Sequence, residues 1–236
     1  QTAGQSLTAQ QPLNNIVRTT IQAMAAVLGG TQSLHTNSYD EALALPSEDA
    51  VRVALRTQQI IAEESGAADI VDPMGGSFAI EKLTDEMEAE IMAYIEEIRD
   101  IGEGSVRDGV LEGIEQGYFH REIQDASYEY QKRVDAGEEV VVGVNQYAID
   151  EEPDPDILKI DPETRDRQLD RLERVKDERD DAEVETTLEA LSDAIDAGEN
   201  VMPYIVDAVK AYVTMGEIME VFEEHHGAYQ EKIGLA

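Results

Sequence analysis

Gly29-Gly30 and Pro46 bracket the stretch that most restricts what this chain can fold into. A double glycine ends a helix, and a proline cannot sit inside one. The chain must therefore stop one helix, cross a short segment and begin another. Within that segment Thr31–Leu34 reads as a short β-strand. Gln32, His35, Asn37, Asp40 and Glu41 crowd the place where the strand gives way to a loop. Parallel α/β folds bind ligands at such places. The stretch is expected to be a helix–strand–helix unit with a site at its strand end.

The same rhythm extends to both sides. Gln1–Ser6 reads as the end of a strand. Pro12 opens a helix whose apolar residues Val17, Ile21, Met24 and Leu28 keep helical spacing. Ser47 caps a second helix, running to about Ser65 and stopped by Gly66. Ile70-Val71 reads as a third strand, and Thr84–Ile101 as a helix with Met87, Ile91, Ile95 and Ile98 on one face. Strands that alternate with helices suit a (β/α) barrel or an open doubly wound sheet, and pattern alone does not separate them.

After Gly102 the pattern becomes helical. Val106–Gln116 and Tyr118–Ala136 are expected helices, with Val140–Val142 a short extended run. Pro153 and Pro155 mark Glu151–Asp156 as an exposed connector. Glu151–Asn200 carries 19 acidic and seven basic residues, yet Leu169, Leu172 and Val175, then Val184, Leu188, Leu191 and Ile195, keep helical spacing. A helical pair with a charged outer face is expected there. Thr214 and Glu217 form the pattern of a capping box for a last helix ending at Gly227. The organisation read from this is residues 1–102 as an α/β part and 103–236 as a mostly helical part.

Composition narrows the chemistry. The chain has 52 acidic and 18 basic residues, a formal charge of −34. Such a surface repels nucleic acid and anionic lipid. With 42% of residues apolar the chain is expected to fold, and its acidity suits the cytoplasm of a salt-loving organism, where ionic strength screens self-repulsion. No cysteine is present, so no disulfide or thiolate metal site can form, and the four histidines make no zinc pattern. The residues contain neither a leader-like segment nor a run of roughly 18 apolar residues. A cytoplasmic protein, neither secreted nor membrane-spanning, is expected.

Gly29–Pro46 resembles a signature of the large, catalytic chain of adenosylcobalamin-dependent acyl-CoA mutases. Gln1-Thr2-Ala3-Gly4 with Ser6-Leu7-Thr8 is similar to the family's Gln-Thr-Ser/Ala-Gly segment. Asn14–Thr19, Asp72-Pro73-Met74-Gly75-Gly76-Ser77 and Gly143-Val144-Asn145-Gln146-Tyr147 are similar to further segments. The resemblance covers nearly the whole chain, more closely up to Tyr147. It implies the last three βα units of a (β/α)8 TIM barrel followed by a mostly helical C-terminal region. The other five units would lie upstream, and the chain reads as the C-terminal portion of a longer one.

The resemblance also implies a reaction and roles. The family's reaction is a radical isomerisation in which the cobalt–carbon bond of adenosylcobalamin breaks homolytically and a thioester carbonyl group undergoes a 1,2-shift. Gln1 and Gln32 would lie on one barrel face as catalytic residues, since neutral amides hydrogen-bond a thioester or ribose without titrating. Gly4, Asn37, Glu41, Ala42 and Leu45 would bind the cofactor, Glu41 at the adenosyl part and Gly4, Ala42 and Leu45 against the corrin. On chemistry alone Gln1 and Gln32 could equally tie down loops, and Glu41 could be an acid facing the dipole of the next helix. His35 reads as a structural hydrogen-bonder, His225 and His226 as solvated cations after the last helix.

Gln5 and Met74 stand where many family members have tryptophan, and the family's cobalt-ligating Asp-x-His-x-x-Gly motif does not occur. No protein metal ligand is therefore expected here. The implied partners are the upstream part of the catalytic subunit, a small cobalamin-binding subunit that carries the cobalt ligand, and an acyl-CoA. Methylmalonyl-CoA is the first substrate reading, with isobutyryl-, 2-hydroxyisobutyryl- and ethylmalonyl-CoA as alternatives. A non-catalytic module that docks a cobalamin-binding subunit is the alternative of another class.

Overall fold

The helix signals are followed closely. In the computed structural model, which describes residues 1–150 and 157–228, α1 spans Asn14–Leu28. It stops at the double glycine: the Gly30 N–H donates to Val27 O, the Thr31 N–H to Ala26 O, and Gly30 takes a φ of 78°. That left-handed conformation carries no penalty for glycine. Helix α2 spans Glu48–Glu64, with the Ser47 hydroxyl accepting from the Ala50 N–H and Glu48 and Asp49 in its first turn. Both features oppose the unsatisfied amides of the helix start.

Helix α3 spans Phe78–Ile101 and so begins earlier than Thr84. The Asp72–Ser77 turn explains the early start. Its Gly75 N–H donates to Asp72 O, and the Gly76 N–H to the Glu81 carboxylate at 2.6 Å, which closes the helix start. Helix α4 spans Val106–Glu115 and α5 Tyr118–Asp135. Helices α3 and α4 meet at glycines. A Cβ on Gly109 would stand against the carbonyl of Ile98, so only a bare backbone allows the approach.

Among the described residues no β-strand forms, and the expected strands are corrected accordingly. Gly4–Ser6 is a single 3-10 turn. Thr31–Leu34 is irregular and Ile70-Val71 lies in bends, with Val71 almost fully exposed. Strands need a run of paired backbone groups, and among the described residues a single backbone bond, Thr2 N–H to His35 O, joins the first segment to the chain just after the second. Side-chain bonds tether the end of the Thr31–Leu34 segment and the residues just after it to α2 instead. The Gln58 amide donates to Leu34 O, and the Thr36 hydroxyl donates to Ala54 O. Val142 and Gln146 form an isolated bridge where a short extended run was expected.

The chain divides into two compact units between Leu158 and Lys159. In the first, α1 packs on α2, α3 on α4, and α4 on α5. The buried face of α1 is Asn15, Thr19 and Ala23, not the apolar stripe, and Val17 and Ile21 are exposed. Val51 and Leu55 on α2, and Leu83, Met87 and Ile91 on α3, are open as well. The expected connector Glu151–Asp156 lies outside the described residues.

The second unit contains α6 (Pro162–Glu178), α7 (Asp181–Asp196), α8 (Met202–Lys210) and α9 (Met215–His226). Its core gathers on the fully buried Leu191, with Val184, Ala208, Ala211, Val213 and Ile218. The capping box at Thr214 and Glu217 is present in both directions. The His225 side chain is not left to solvent. Its Nε2 lies 2.8 Å from Ser192 Oγ and its Nδ1 3.1 Å from Asp196 Oδ1, so it clasps α9 to α7. None of the described helices is long and apolar enough to cross a membrane.

Candidate functional site

The polar stretch after the double glycine folds against the first residues of the chain. The Thr2 N–H donates to His35 O at 3.0 Å. The Thr2 hydroxyl donates to Asn37 Oδ1 at 2.5 Å and accepts from the Asn37 N–H at 3.0 Å. Asn37 Nδ2 then donates to Glu41 Oε2 at 2.6 Å, and the Ser38 N–H donates to Glu41 Oε1 at 2.6 Å. Thr2, Asn37 and Ser38 are buried, and Glu41 is half-buried. Burial of so many polar groups is tolerable because each finds a partner.

A second layer holds this turn to α1 and α2. Asn15, fully buried, donates from Nδ2 to Thr8 O and Tyr39 O and accepts the Thr8 N–H. Asp40, also buried, accepts the Ser47 N–H at 2.9 Å, while its backbone carbonyl accepts from Leu43 and Ala44. The turn is thereby fixed at both ends: through Asn15 to α1 and through Ser47 to the start of α2.

Of the expected site residues, three come together. Asn37 and Glu41 are hydrogen-bonded, and Gly4 lies beside them, where an added Cβ would come within 3.4 Å of Asn37 Nδ2. Ala42 and Leu45 lie on the same turn and are exposed. Gln1 and Gln32 are exposed, and among the described residues neither hydrogen-bonds to the cluster. His35 contributes its backbone carbonyl, while its side chain is exposed. Gln5 lines a groove of about 530 Å³ with Arg18, Ile21, Tyr130, Val134 and Val142.

This geometry bears on the helix-dipole reading of Glu41. Helix α2 begins only at Glu48 and is capped by Ser47, so Glu41 does not serve its dipole. Its carboxylate accepts one hydrogen bond on each oxygen and keeps lone pairs free for hydroxyl donors. Thr2, Asn15 and Asp40 are the residues that sequence reasoning left without a role. Asn15 carried a signal, since Asn15, Thr19 and Ala23 are four apart on the face opposite the apolar stripe.

A family model described as methylmalonyl-CoA mutase matches residues 1–228. The chain belongs to the methylmalonyl-CoA mutase family. It is 47% identical to the 2-hydroxyisobutanoyl-CoA mutase large subunit of Aquincola tertiaricarbonis, over 98% of this chain and 40% of the relative. It is 46% identical to the methylmalonyl-CoA mutase of Escherichia coli K12, over 94% of this chain and 30% of the relative. Identity to the human mitochondrial methylmalonyl-CoA mutase is 43%, over 99% of this chain and 32% of the relative. The chain thus spans between 30% and 40% of these methylmalonyl-CoA mutase family members.

Proposed function

We propose that this chain is the C-terminal portion of the catalytic subunit of an adenosylcobalamin-dependent acyl-CoA mutase that interconverts methylmalonyl-CoA and succinyl-CoA. The observation that carries the reading is the joined cluster of Gly4, Asn37 and Glu41 in a chain of this family. The cluster fits the cofactor's chemistry. Glu41 offers acceptors to ribose hydroxyls, Gly4 leaves room for a flat ring, and Ala42 and Leu45 offer exposed apolar surface. When bound, adenosylcobalamin supplies the radical that starts the isomerisation. The protein's residues bind and orient. Gln1 and Gln32 hydrogen-bond the acyl group without exchanging protons with it.

In this reading residues 1–102 complete a (β/α)8 barrel and residues 103–236 extend from it. The open apolar faces of α2 and α3 support it, since helices with an exposed stripe are those that pack against a further layer. The barrel strands would form only beside their neighbours. The upstream part of the subunit, a cobalamin-binding subunit holding the cobalt ligand, and the acyl-CoA are the partners. A related substrate is the second reading, favoured by the 47% identity to the 2-hydroxyisobutanoyl-CoA mutase large subunit.

Turnover tests the proposal. The chain alone, given adenosylcobalamin and methylmalonyl-CoA, is expected to produce no succinyl-CoA; combined with the remainder of the subunit and a cobalamin-binding subunit it is expected to restore isomerisation. Turnover by the chain alone, or an assembly equally active without it, contradicts the proposal. 2-Hydroxyisobutyryl-CoA offered in parallel separates the two substrate readings.

The proposed setting is a salt-rich cytoplasm, supported by the formal charge of −34. Screening shortens from ~30 Å in ~0.01 M salt to ~3 Å in ~1 M. The melting temperature should therefore climb steadily with KCl concentration. A flat or falling curve removes this part of the reading.

A further inference from the structure

One hydroxyl governs the whole cluster. Thr2 is 5% exposed, and its Oγ1 is both donor to Asn37 Oδ1 and acceptor from the Asn37 N–H. The donation matters most. An amide has one oxygen and one NH2 end, and a donor held against the oxygen decides which way the group points. With Oδ1 engaged by Thr2, Nδ2 is left to meet Glu41 Oε2 at 2.6 Å. The Ser38 N–H takes the other carboxylate oxygen. Glu41 is thus held directly by Ser38 and, through Asn37, by Thr2, which does not touch it and stands 35 positions from Asn37.

We propose that Thr2 is a positioning residue for the cofactor: through Asn37 it fixes the Glu41 carboxylate in the orientation that receives the adenosyl hydroxyls. The inference rests on the reading of Glu41 as a cofactor-binding residue. A preset carboxylate loses less rotational freedom on binding than one that must be ordered by the ligand. Without the Thr2 hydroxyl, the buried Asn37 N–H and Oδ1 lose their partner, and the amide is held at its Glu41 end alone, so it no longer fixes where the carboxylate sits.

The test uses the assembled enzyme, with adenosylcobalamin affinity read by absorbance titration and melting temperature measured on the same samples. Thr2→Val, close in shape but without the hydroxyl, should weaken adenosylcobalamin binding by about threefold to tenfold. Thr2→Ser should restore most of it. A double-mutant cycle with Glu41→Gln carries the decision. If Thr2 acts through Glu41, the double variant binds about as well as Glu41→Gln alone.

Additive losses, or unchanged affinity in Thr2→Val with only a lowered melting temperature, overturn the positioning role while leaving the cofactor reading intact. An ineffective Glu41→Gln overturns the cofactor reading and this inference with it. Should Thr2→Val fail to assemble, Thr2→Cys, which lacks the methyl branch and puts a weak donor in place of the hydroxyl, takes its place in the same cycle.

Discussion

Glu217→Gln is expected to unfold the second unit at a markedly lower temperature than the parent chain. Glu217 is the point at which three demands meet. Its two oxygens accept the Arg179 fork at 2.7 and 2.8 Å. It also accepts the Thr214 N–H at 2.8 Å and the Thr214 hydroxyl at 2.7 Å. Arg179 in turn ends α6 and reaches Tyr212 O at 3.2 Å, so this pair fastens α6, the α8–α9 turn and the start of α9. The arginine side chain is only 9% exposed and the glutamate 19%.

A glutamine at 217 would aim an NH2 at donors on one side and leave the guanidinium only the exposed Asp181 carboxylate, 3.3 Å from its Nε, as a counter-charge. Removing one partner from such a shielded pair costs about 2–4 kcal/mol. For a unit of this size that is a fall of about 10 °C or more. Arg179→Met should cost a similar amount, and the double variant less than the two losses together, because no stranded charge remains. Calorimetry of the four proteins checks this, and strict additivity would show that the pair is not coupled.

The same pair predicts acid sensitivity. The Arg179 guanidinium holds the Glu217 carboxyl well below the usual carboxylate range, against the opposing pull of burial, with the Thr214 donors adding to the arginine. A depressed pKa contributes stability that is complete above the unfolded value of ~4.3 and is lost as pH falls below it toward the folded value. Glu217→Gln should therefore flatten the acid limb of the stability curve while leaving the neutral region parallel to the parent.

The second large effect belongs to Glu41. Its carboxylate is held by donors on both oxygens. Glutamine keeps one acceptor, turns the other position into a donor facing the Asn37 amide or the Ser38 N–H, and removes the charge that strengthens bonds to hydroxyls. The charge-assisted component is worth ~1 kcal/mol or more, and ~1.4 kcal/mol is one decade of affinity. Cofactor binding should fall by roughly tenfold. If Glu41 served only to close the turn, the loss would appear in melting temperature alone.

What was legible in the sequence was local. The Ser47 cap, the Thr214–Glu217 box and the double-glycine stop act within a turn of the residues they govern, and each is found as expected. Strand pairing is not local, and the β-prone Thr31–Leu34 found α2 side chains in place of a neighbouring strand. The stripe of Val17 and Ile21 shows that periodicity identifies an apolar face without saying what covers it. Helix α8 was not read from the sequence; it carries Pro203 in its first turn, where a proline removes no bond.

The site divides along the same line. Asn37 and Glu41 stood out because they lie four residues apart in one polar turn. Family resemblance set Gly4 against the corrin; its place beside Asn37 came only from the structure. Thr2 could not be singled out, because a threonine gains its role only when the chain returns 35 residues later to bring Asn37 onto its hydroxyl.

Adenosylcobalamin titration of the assembled Glu41→Gln enzyme, at a temperature where both forms are folded, tests directly whether the Glu41 carboxylate holds the cofactor. A dissociation constant raised by about tenfold, beyond whatever the melting temperature loses, is the expected result. An unchanged dissociation constant in a correctly folded variant would contradict it.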